Sequence, residues 1–386
     1  MQKSSFRIGI DCRLAGQQHA GIGRYVENLI TRLPTLAVAQ GKKIEWVFFF
    51  HDTEQATAVF PQLNTFLKTY PVKLIEVPLR HYSLAEQIRL PNIFGAEKLD
   101  LLHVPHFNIP LLYQGKIVVT IHDLLWHEYR GLDVTTLPSW QYHVKHFAYR
   151  FTVGRAVKKA RRIFVPTQTI KNVVAKYYSH ARQKTVVTKE GVDVHFLSSS
   201  AEKRDVPTKK SPKHLIYVGS LYPHKNIRLV IDALAKLPDY KLWIVGTRSV
   251  FQDQVRAYVV KKKRESQVEF LGYVSDQELV QYFKKSFALV QPSFSEGFGL
   301  TGVEAMASGL PVLASDIPIF REVYAEAGTY FDPTATDSFC AAVVELEREG
   351  WLKKSAKGVV AAKQYSWETM AEETFAAYLE VISERV

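Results

Sequence analysis

Hydrophobic positions cluster in short unbroken runs closed by turn residues: Arg7–Cys12, Ile44–Phe50, Lys73–Val77, Leu99–Val104, Lys116–Ile121 and Arg162–Pro166. Runs of this kind are what strands covered on both faces of a parallel sheet look like. Between several of them apolar residues recur at the helical period, as in Ile22–Leu33 and Tyr142–Lys159. The alternation predicts βα units wound around a parallel sheet. At 197–213 the chain turns polar and carries two prolines, which predicts a linker. The pattern then restarts with Leu215–Val218, a helix near Ile227–Lys236, Lys241–Val245, Val268–Leu271, Ala288–Gln291 and Pro311–Ala314, and ends in a helix at about Ser366–Ile382. The prediction is an α/β protein of two doubly wound, Rossmann-like domains, 1–196 and 214–365, joined by 197–213. A last helix within 366–386 is expected to return to the first domain.

Composition changes this picture little and charge changes it more. A chain of 386 residues with 47% hydrophobic and 23% charged side chains is ordinary globular material. Two cysteines, Cys12 and Cys340, make neither a disulfide framework nor a cysteine-rich zinc site. The first residues turn polar again at Asp11, and no run approaches the roughly 20 apolar residues of a spanning helix, so a soluble, cytoplasmic protein is expected. The net charge is +12, and all of it lies in residues 1–200, where 26 Lys and Arg face 14 Asp and Glu; residues 201–386 hold 24 of each. The segment 134–189 carries twelve Lys or Arg and no carboxylate. Such a surface attracts polyanions, whether anionic membrane, phosphorylated lipid or nucleic acid, unless it is only a solvated helical face.

Open α/β sheets bind ligands at the carboxyl ends of their strands, so the loops there are where chemistry is sought. After Arg7–Cys12 comes Gly16–Tyr25, in which Gly21 and Gly23 let backbone N–H groups approach a phosphate or merely permit a turn. After Lys116–Ile121 stands His122-Asp123, a general acid, a hydroxyl or phosphate partner, or a structural histidine fixed by its neighbour. His103 and His106 end the preceding strand, without the spacing of a metal site. In Tyr217–Asn226, Lys225 precedes a helix, where ammonium and helix dipole both favour a diphosphate. The densest signal is Pro292–Pro311: Gly297, Gly299 and Gly302 lie between Glu296 and Glu304, with a helix expected from near Leu300 to Gly309. Eight residues of continuous helix would hold the two carboxylates about 12 Å apart. That is too far for an acid/base pair but suits the two ends of an extended ligand such as a nucleotide-sugar.

The string S-E-G-F-G-L followed by E-A-M-A-S-G-L-P resembles the signature of retaining family 4 glycosyltransferases with the GT-B fold, whose E-x(7)-E motif would be Glu296 and Glu304. Gly21–Arg24, His122-Asp123, Glu190–Asp193, Tyr217–Asn226, Leu271–Leu279 and Tyr365–Tyr378 resemble further segments of that family in the same order. The resemblance implies two Rossmann-like domains with a cleft between them, the first binding the acceptor and the second the nucleotide-sugar. By the same resemblance Glu296 would contact the donor sugar, Glu304 the ribose, and Lys225 the diphosphate. His122 would touch the sugar or its β-phosphate, and Gly21 and Gly23 would let their loop approach the phosphate. The backbone of Gly272, Tyr273 and Val274 would read the base, while Gly297, Phe298, Gly299 and Leu300 would line the donor site. Ser220 stands where the family often has Arg, leaving His224 and Arg248 as substitute cations; Glu190 and Thr301 replace a usual Asn and Pro.

The expected reaction is retaining transfer of a hexose from a GDP- or UDP-sugar to a glycan or polyprenyl-diphosphate-linked glycan in cell-surface polysaccharide synthesis. With no D-x-D in the sequence, no metal or other cofactor is expected. Trp140, Tyr142, Phe147, Tyr149 and Phe151 interleave with Lys145, Arg150 and Arg155, which matches either helix packing or peripheral contact with the cytoplasmic face of an anionic membrane. On this reading nucleic acid is not a partner. Two rivals stay open: a catalytically silent nucleotide-sugar-binding protein, and a polyanion- or nucleic-acid-binding protein using 134–189.

Overall fold

The computed structural model describes residues 5–16, 19–129, 138–198, 213–246, 250–348 and 350–384. Two compact units divide the chain. The first is built from Met1–Leu124, His143–Gly191 and Trp367–Val386. Its described strands are β1 (Phe6–Asp11), β2 (Ile44–Phe50), β3 (Val72–Glu76), β4 (Leu101–Val104), β5 (Ile117–Thr120), β6 (Ile163–Val165) and β7 (Thr185–Val187). They form one parallel sheet in the order β3-β2-β1-β4-β5-β6-β7. Trp46, Phe48, Phe49 and Phe50 of β2 are all buried, so this strand is covered on both faces, as its unbroken apolar run requires.

The helix Ala20–Ala39 begins before Gly21 and runs past Pro34, beyond the expected Ile22–Leu33. Proline forfeits one backbone hydrogen bond and crowds the preceding turn. Leu29, Ile30, Leu33 and Ala37 nevertheless form one buried stripe across it, and that burial carries the helix on. Against it packs the final helix, Trp367–Ser383, whose Trp367, Met370, Ala371, Thr374, Phe375, Tyr378 and Val381 are buried at helical spacing. Lys116 Nζ donates to the carbonyls of Val381 (2.9 Å) and Glu384 (2.8 Å), satisfying acceptors that the helix end leaves open.

The second unit comprises Leu125–Tyr142 and Val192–Ser366. Its described strands are β8 (Lys213–Val218), β9 (Tyr240–Val245), β10 (Val268–Gly272), β11 (Ala288–Gln291), β12 (Val312–Ser315) and β13 (Gly328–Phe331). They too form a parallel sheet, ordered β10-β9-β8-β11-β12-β13. Among the described residues, 125–129, 138–142 and 192–196 group with this unit, whereas the sequence pattern places a domain end at 196. Tyr129 accounts for the earlier segment: its hydroxyl donates to the Phe294 carbonyl (2.9 Å) and its ring lies 6.3 Å from that of Phe294. Val192 N–H donates to the Tyr365 carbonyl (3.2 Å), which draws in the later one. Of the expected linker, 199–212 lie outside the described residues; Leu197 closes the helix Val194–Ser198 with Ser198, and Lys213 opens β8.

Candidate active site

In both sheets the strand order reverses once, between β1 and β4 and between β8 and β11. Loops leaving the carboxyl ends of such a pair turn to opposite faces and open a crevice. In the second unit, Lys225 lies on the loop after β8 and Glu296 on the loop after β11. The two loops are stitched together. Phe294 N–H donates to the His224 carbonyl (2.8 Å), and Asn226 Nδ2 donates to the carbonyls of Pro292 (3.1 Å) and Pro333 (2.8 Å). Asn226 itself sits in the left-handed region, at φ 54°, between the tight turn Pro223–Lys225 and the helix that starts at Ile227. Asn tolerates that conformation better than most side chains.

The stitching brings Lys225 Nζ to 2.7 Å from both Glu296 oxygens, with side chains 21% and 15% exposed. Ser293 Oγ donates to Glu296 Oε1 at 2.7 Å. Burial pushes the Glu296 carboxyl up; the ammonium of Lys225, the Ser293 hydroxyl and the nearby His224 outweigh it and hold the group below its ordinary value. His224 is therefore within electrostatic reach of the pair. Arg248, the other candidate, lies outside the described residues. Ser220 presents its carbonyl to the Tyr217 hydroxyl. Sequence reasoning missed Ser293 and the tying role of Asn226.

The helix after Glu296 runs from Leu300 to Ala307, led by Gly299 at φ 90°, with no acidic residue in its first turn. The positive end of such a helix favours an anion. Because residues 296–299 are not helical, a separation measured along a continuous helix does not describe Glu296 and Glu304. Glu304 is buried on the helix, 4% exposed. Packing explains more of the glycine density than expected. A Cβ at Gly299 or Gly302 would lie 2.2 Å from the buried Tyr324 hydroxyl, which donates to the Gly299 carbonyl (2.7 Å) and to Gln291. Phe298 is also a core side chain, its ring 5.3 Å from that of Tyr365, so only its backbone is available to a ligand. Gly297 and Gly299 flank it, and Leu300 opens the helix.

Gly272, at φ 74° after a bulge in β10, hands the chain to Tyr273, which is exposed, and Val274 on the same carboxyl edge of the sheet. The helix that follows, Asp276–Lys285, opens with a capping box between Ser275 and Glu278.

In the first unit, Gly21 and Gly23 lie in the first turn of the helix Ala20–Ala39, not in a loop before it. Gly23 is fixed by close approach, since a Cβ there would stand 1.9 Å from the Gly16 carbonyl oxygen; nothing crowds Gly21. His122, just after β5, faces the Glu190 carboxylate through Nδ1 (3.3 Å) and the Pro105 carbonyl through Nε2 (3.3 Å). The ring of Tyr25 meets His122 edge-on at 4.9 Å. Glu190, where the family usually has Asn, thus has a physical role as the partner of His122.

His103 is a buried strand residue between the hydroxyls of Tyr378 and Thr120. Burial and the neighbouring His122 push it down to about 3, and His106 likewise to about 3. Sequence reasoning passed over a buried network at this unit's strand-order reversal. Arg13 forks onto Asp11 (2.8 and 2.7 Å) and also donates to Glu86 (2.9 Å). Burial pushes both carboxyls up; Arg13, with His81 and Asn108 at Glu86, holds them below their ordinary values. The one available signal was the Asp-x-Arg at the end of the first strand.

Two tandem parallel α/β units of this topology are the architecture of the GT-B fold, which the solved structural neighbours share. The description "Glycosyltransferase Family 4" matches residues 19–196, and "Glycosyl transferases group 1" matches 198–364. O-antigen chain mannosyltransferase RfbU of Salmonella typhimurium is 32% identical over 69% of this chain and 70% of its own length. O-antigen chain mannosyltransferase B of Escherichia coli is 28% identical over 93% of this chain and 95% of its own. Among solved structures, a sucrose-phosphate synthase from Thermosynechococcus elongatus superposes with a TM-score of 0.72 at 16% identity, covering 98% of this chain and 99% of that one. The chain belongs to glycosyltransferase family 4.

Proposed function

We infer that the chain moves a hexose, in first place mannose from a GDP-linked donor, onto a glycan or polyprenyl-diphosphate-linked glycan during cell-surface polysaccharide synthesis. The names of its two mannosyltransferase relatives support the sugar and the pathway class. The observation that carries the reading is the Lys225–Glu296 pair at the strand-order reversal of the second sheet.

Breaking the donor's anomeric C–O bond sends its electron pair to the departing diphosphate and leaves oxocarbenium character on the sugar. Lys225 would exchange its Glu296 partner for the diphosphate, assisted by the open N-terminus of Leu300–Ala307. Glu296, released but still ionised, would accept hydrogen bonds from the sugar hydroxyls, and Glu304 would take the ribose. The acceptor oxygen forms the new C–O bond and its proton passes to the departing phosphate. Attack from the side the leaving group vacates gives retention. Lys225 and the helix end supply the positive charge that a metal would otherwise bring, in keeping with a sequence that lacks D-x-D.

A thermal-shift panel of nucleoside diphosphates and their sugars tests the donor, since a ligand of the folded state raises Tm. GDP and GDP-mannose should stabilise most, and an unmoved Tm across the panel overturns the reading. Transfer should survive EDTA and yield product of the donor's anomeric configuration by NMR. Chelator-sensitive transfer or an inverted product removes the corresponding part.

A further inference from the structure

The helix Ser139–Lys159 has two apolar faces. Val153, Ala156 and Val157 are buried. On the other side Val144, Phe147 and Phe151 stand 62%, 75% and 52% exposed. At 3.6 residues per turn, their spacings of three and four residues put these side chains within an arc of about 60°, over a length of about 11 Å. A single exposed apolar side chain means nothing, whereas a continuous stripe on a helix that already has a buried face marks a surface built to be covered.

Charge says by what. The helix carries Lys145, Arg150, Arg155, Lys158 and Lys159 and no Asp or Glu. Arg150 and Arg155 flank the stripe and Lys158 continues its line at the far end. A second copy of the chain would bring like charges face to face, and a nucleic acid would leave the stripe uncovered. An anionic bilayer satisfies both features, taking aromatic and aliphatic side chains below its headgroups and arginine and lysine among its phosphates.

We propose that Ser139–Lys159 is a membrane-docking helix lying in the plane of an anionic bilayer, with Val144, Phe147 and Phe151 entering the boundary between headgroups and acyl chains. The proposal deepens the acceptor reading of the preceding section, because a chain held at this surface meets a lipid-linked acceptor in two dimensions. No helix among the described residues is long and apolar enough to cross the membrane, so contact of this kind is interfacial.

Co-sedimentation with phosphatidylglycerol/phosphatidylethanolamine vesicles, against phosphatidylcholine alone, tests it. The wild type should pellet with the anionic vesicles only, and salt of about 0.5 M should weaken the binding. The double variant Phe147→Ser/Phe151→Ser should lose about tenfold or more in partitioning. Arg150→Gln/Arg155→Gln, which leaves the apolar stripe intact, should lose binding as high salt does. Tm confirms that each variant is folded. Wild-type protein that stays in the supernatant, or serine variants that partition like the wild type, overturn the proposal. So does a wild-type dimer in analytical ultracentrifugation that the serine pair converts to monomer. Donor hydrolysis in vesicle-free buffer reads the transferase separately. Protein that consumes donor but ignores vesicles refutes the docking helix alone, and protein that binds vesicles but consumes no donor refutes the transferase reading alone.

Discussion

Replacing Lys225 with methionine keeps most of the side-chain volume and removes only the ammonium. Nζ lies 2.7 Å from both Glu296 oxygens, with about a fifth of the lysine side chain exposed. At an effective dielectric of about 20, such a pair attracts by about 6 kcal/mol before desolvation. Desolvation and solvent screening cancel most of this, so we expect a net loss of about 2 kcal/mol. For a domain of this size that is a fall in Tm of about 4–8 °C.

The pH dependence carries a sign. In the wild type the Glu296 carboxyl is depressed, so its contribution is present above the unfolded carboxylate range and is lost as pH falls through the folded value. Without the ammonium, burial is opposed only by Ser293 and His224, and the carboxyl should rise above its unfolded value. The variant then loses stability as pH climbs from about 4 to 7, where the wild type does not. Scanning calorimetry across that range reads both effects. Adding Glu296→Gln to Lys225→Met should recover much of the lost Tm, since it removes an unpaired buried charge. Superimposable Tm–pH curves for wild type and Lys225→Met, or a double variant no more stable than the single, would refute the pair as drawn.

Gly302→Ala places a Cβ 2.2 Å from the Tyr324 hydroxyl and 2.3 Å from its ring carbon Cζ, and should cost about 1–3 kcal/mol by urea denaturation; Tyr324→Phe, which keeps that ring carbon, should not restore it. An unchanged urea midpoint for Gly302→Ala would refute the close approach. Glu190→Ala unties Nδ1 of His122 and should lower kcat about tenfold at nearly constant donor KM with Tm little changed, while an unchanged kcat removes Glu190 from the positioning of His122. Tyr378→Phe removes the hydroxyl facing His103 Nδ1 and should destabilise the first unit by about 1 kcal/mol; equal stability would show that the histidine finds another partner.

Strands were readable where tertiary context adds nothing new. Ile44–Phe50 and Ala288–Gln291 coincide with their strands because a run buried on both faces has no polar side to blur it. The edge strands Thr185–Val187 and Gly328–Phe331 begin on threonine or glycine-threonine and leave only two apolar residues in a row, so they do not stand out, and the helix across Pro34 is held by burial that local rules do not see. The site divides along the same line. That Lys225 and Glu296 matter was legible from loop position and motif, but their pairing depends on two loops stitched through Asn226 and Phe294. The glycines near Glu296 pointed to a ligand, whereas Gly299 and Gly302 answer to Tyr324, more than twenty residues further along the chain. The same limit left the aromatics of Ser139–Lys159 ambiguous, since spacing alone does not say which of two apolar faces is covered.

That Lys225 and Glu296 grip an activated sugar is tested most directly by release of nucleoside diphosphate from a panel of GDP- and UDP-hexoses, comparing the intact chain with Lys225→Met and Glu296→Gln. The account predicts that one donor, GDP-mannose first, is consumed by the wild type and about a hundredfold or more slowly by each variant. Folded protein that consumes no donor, or variants that turn it over as fast as the wild type, would contradict it.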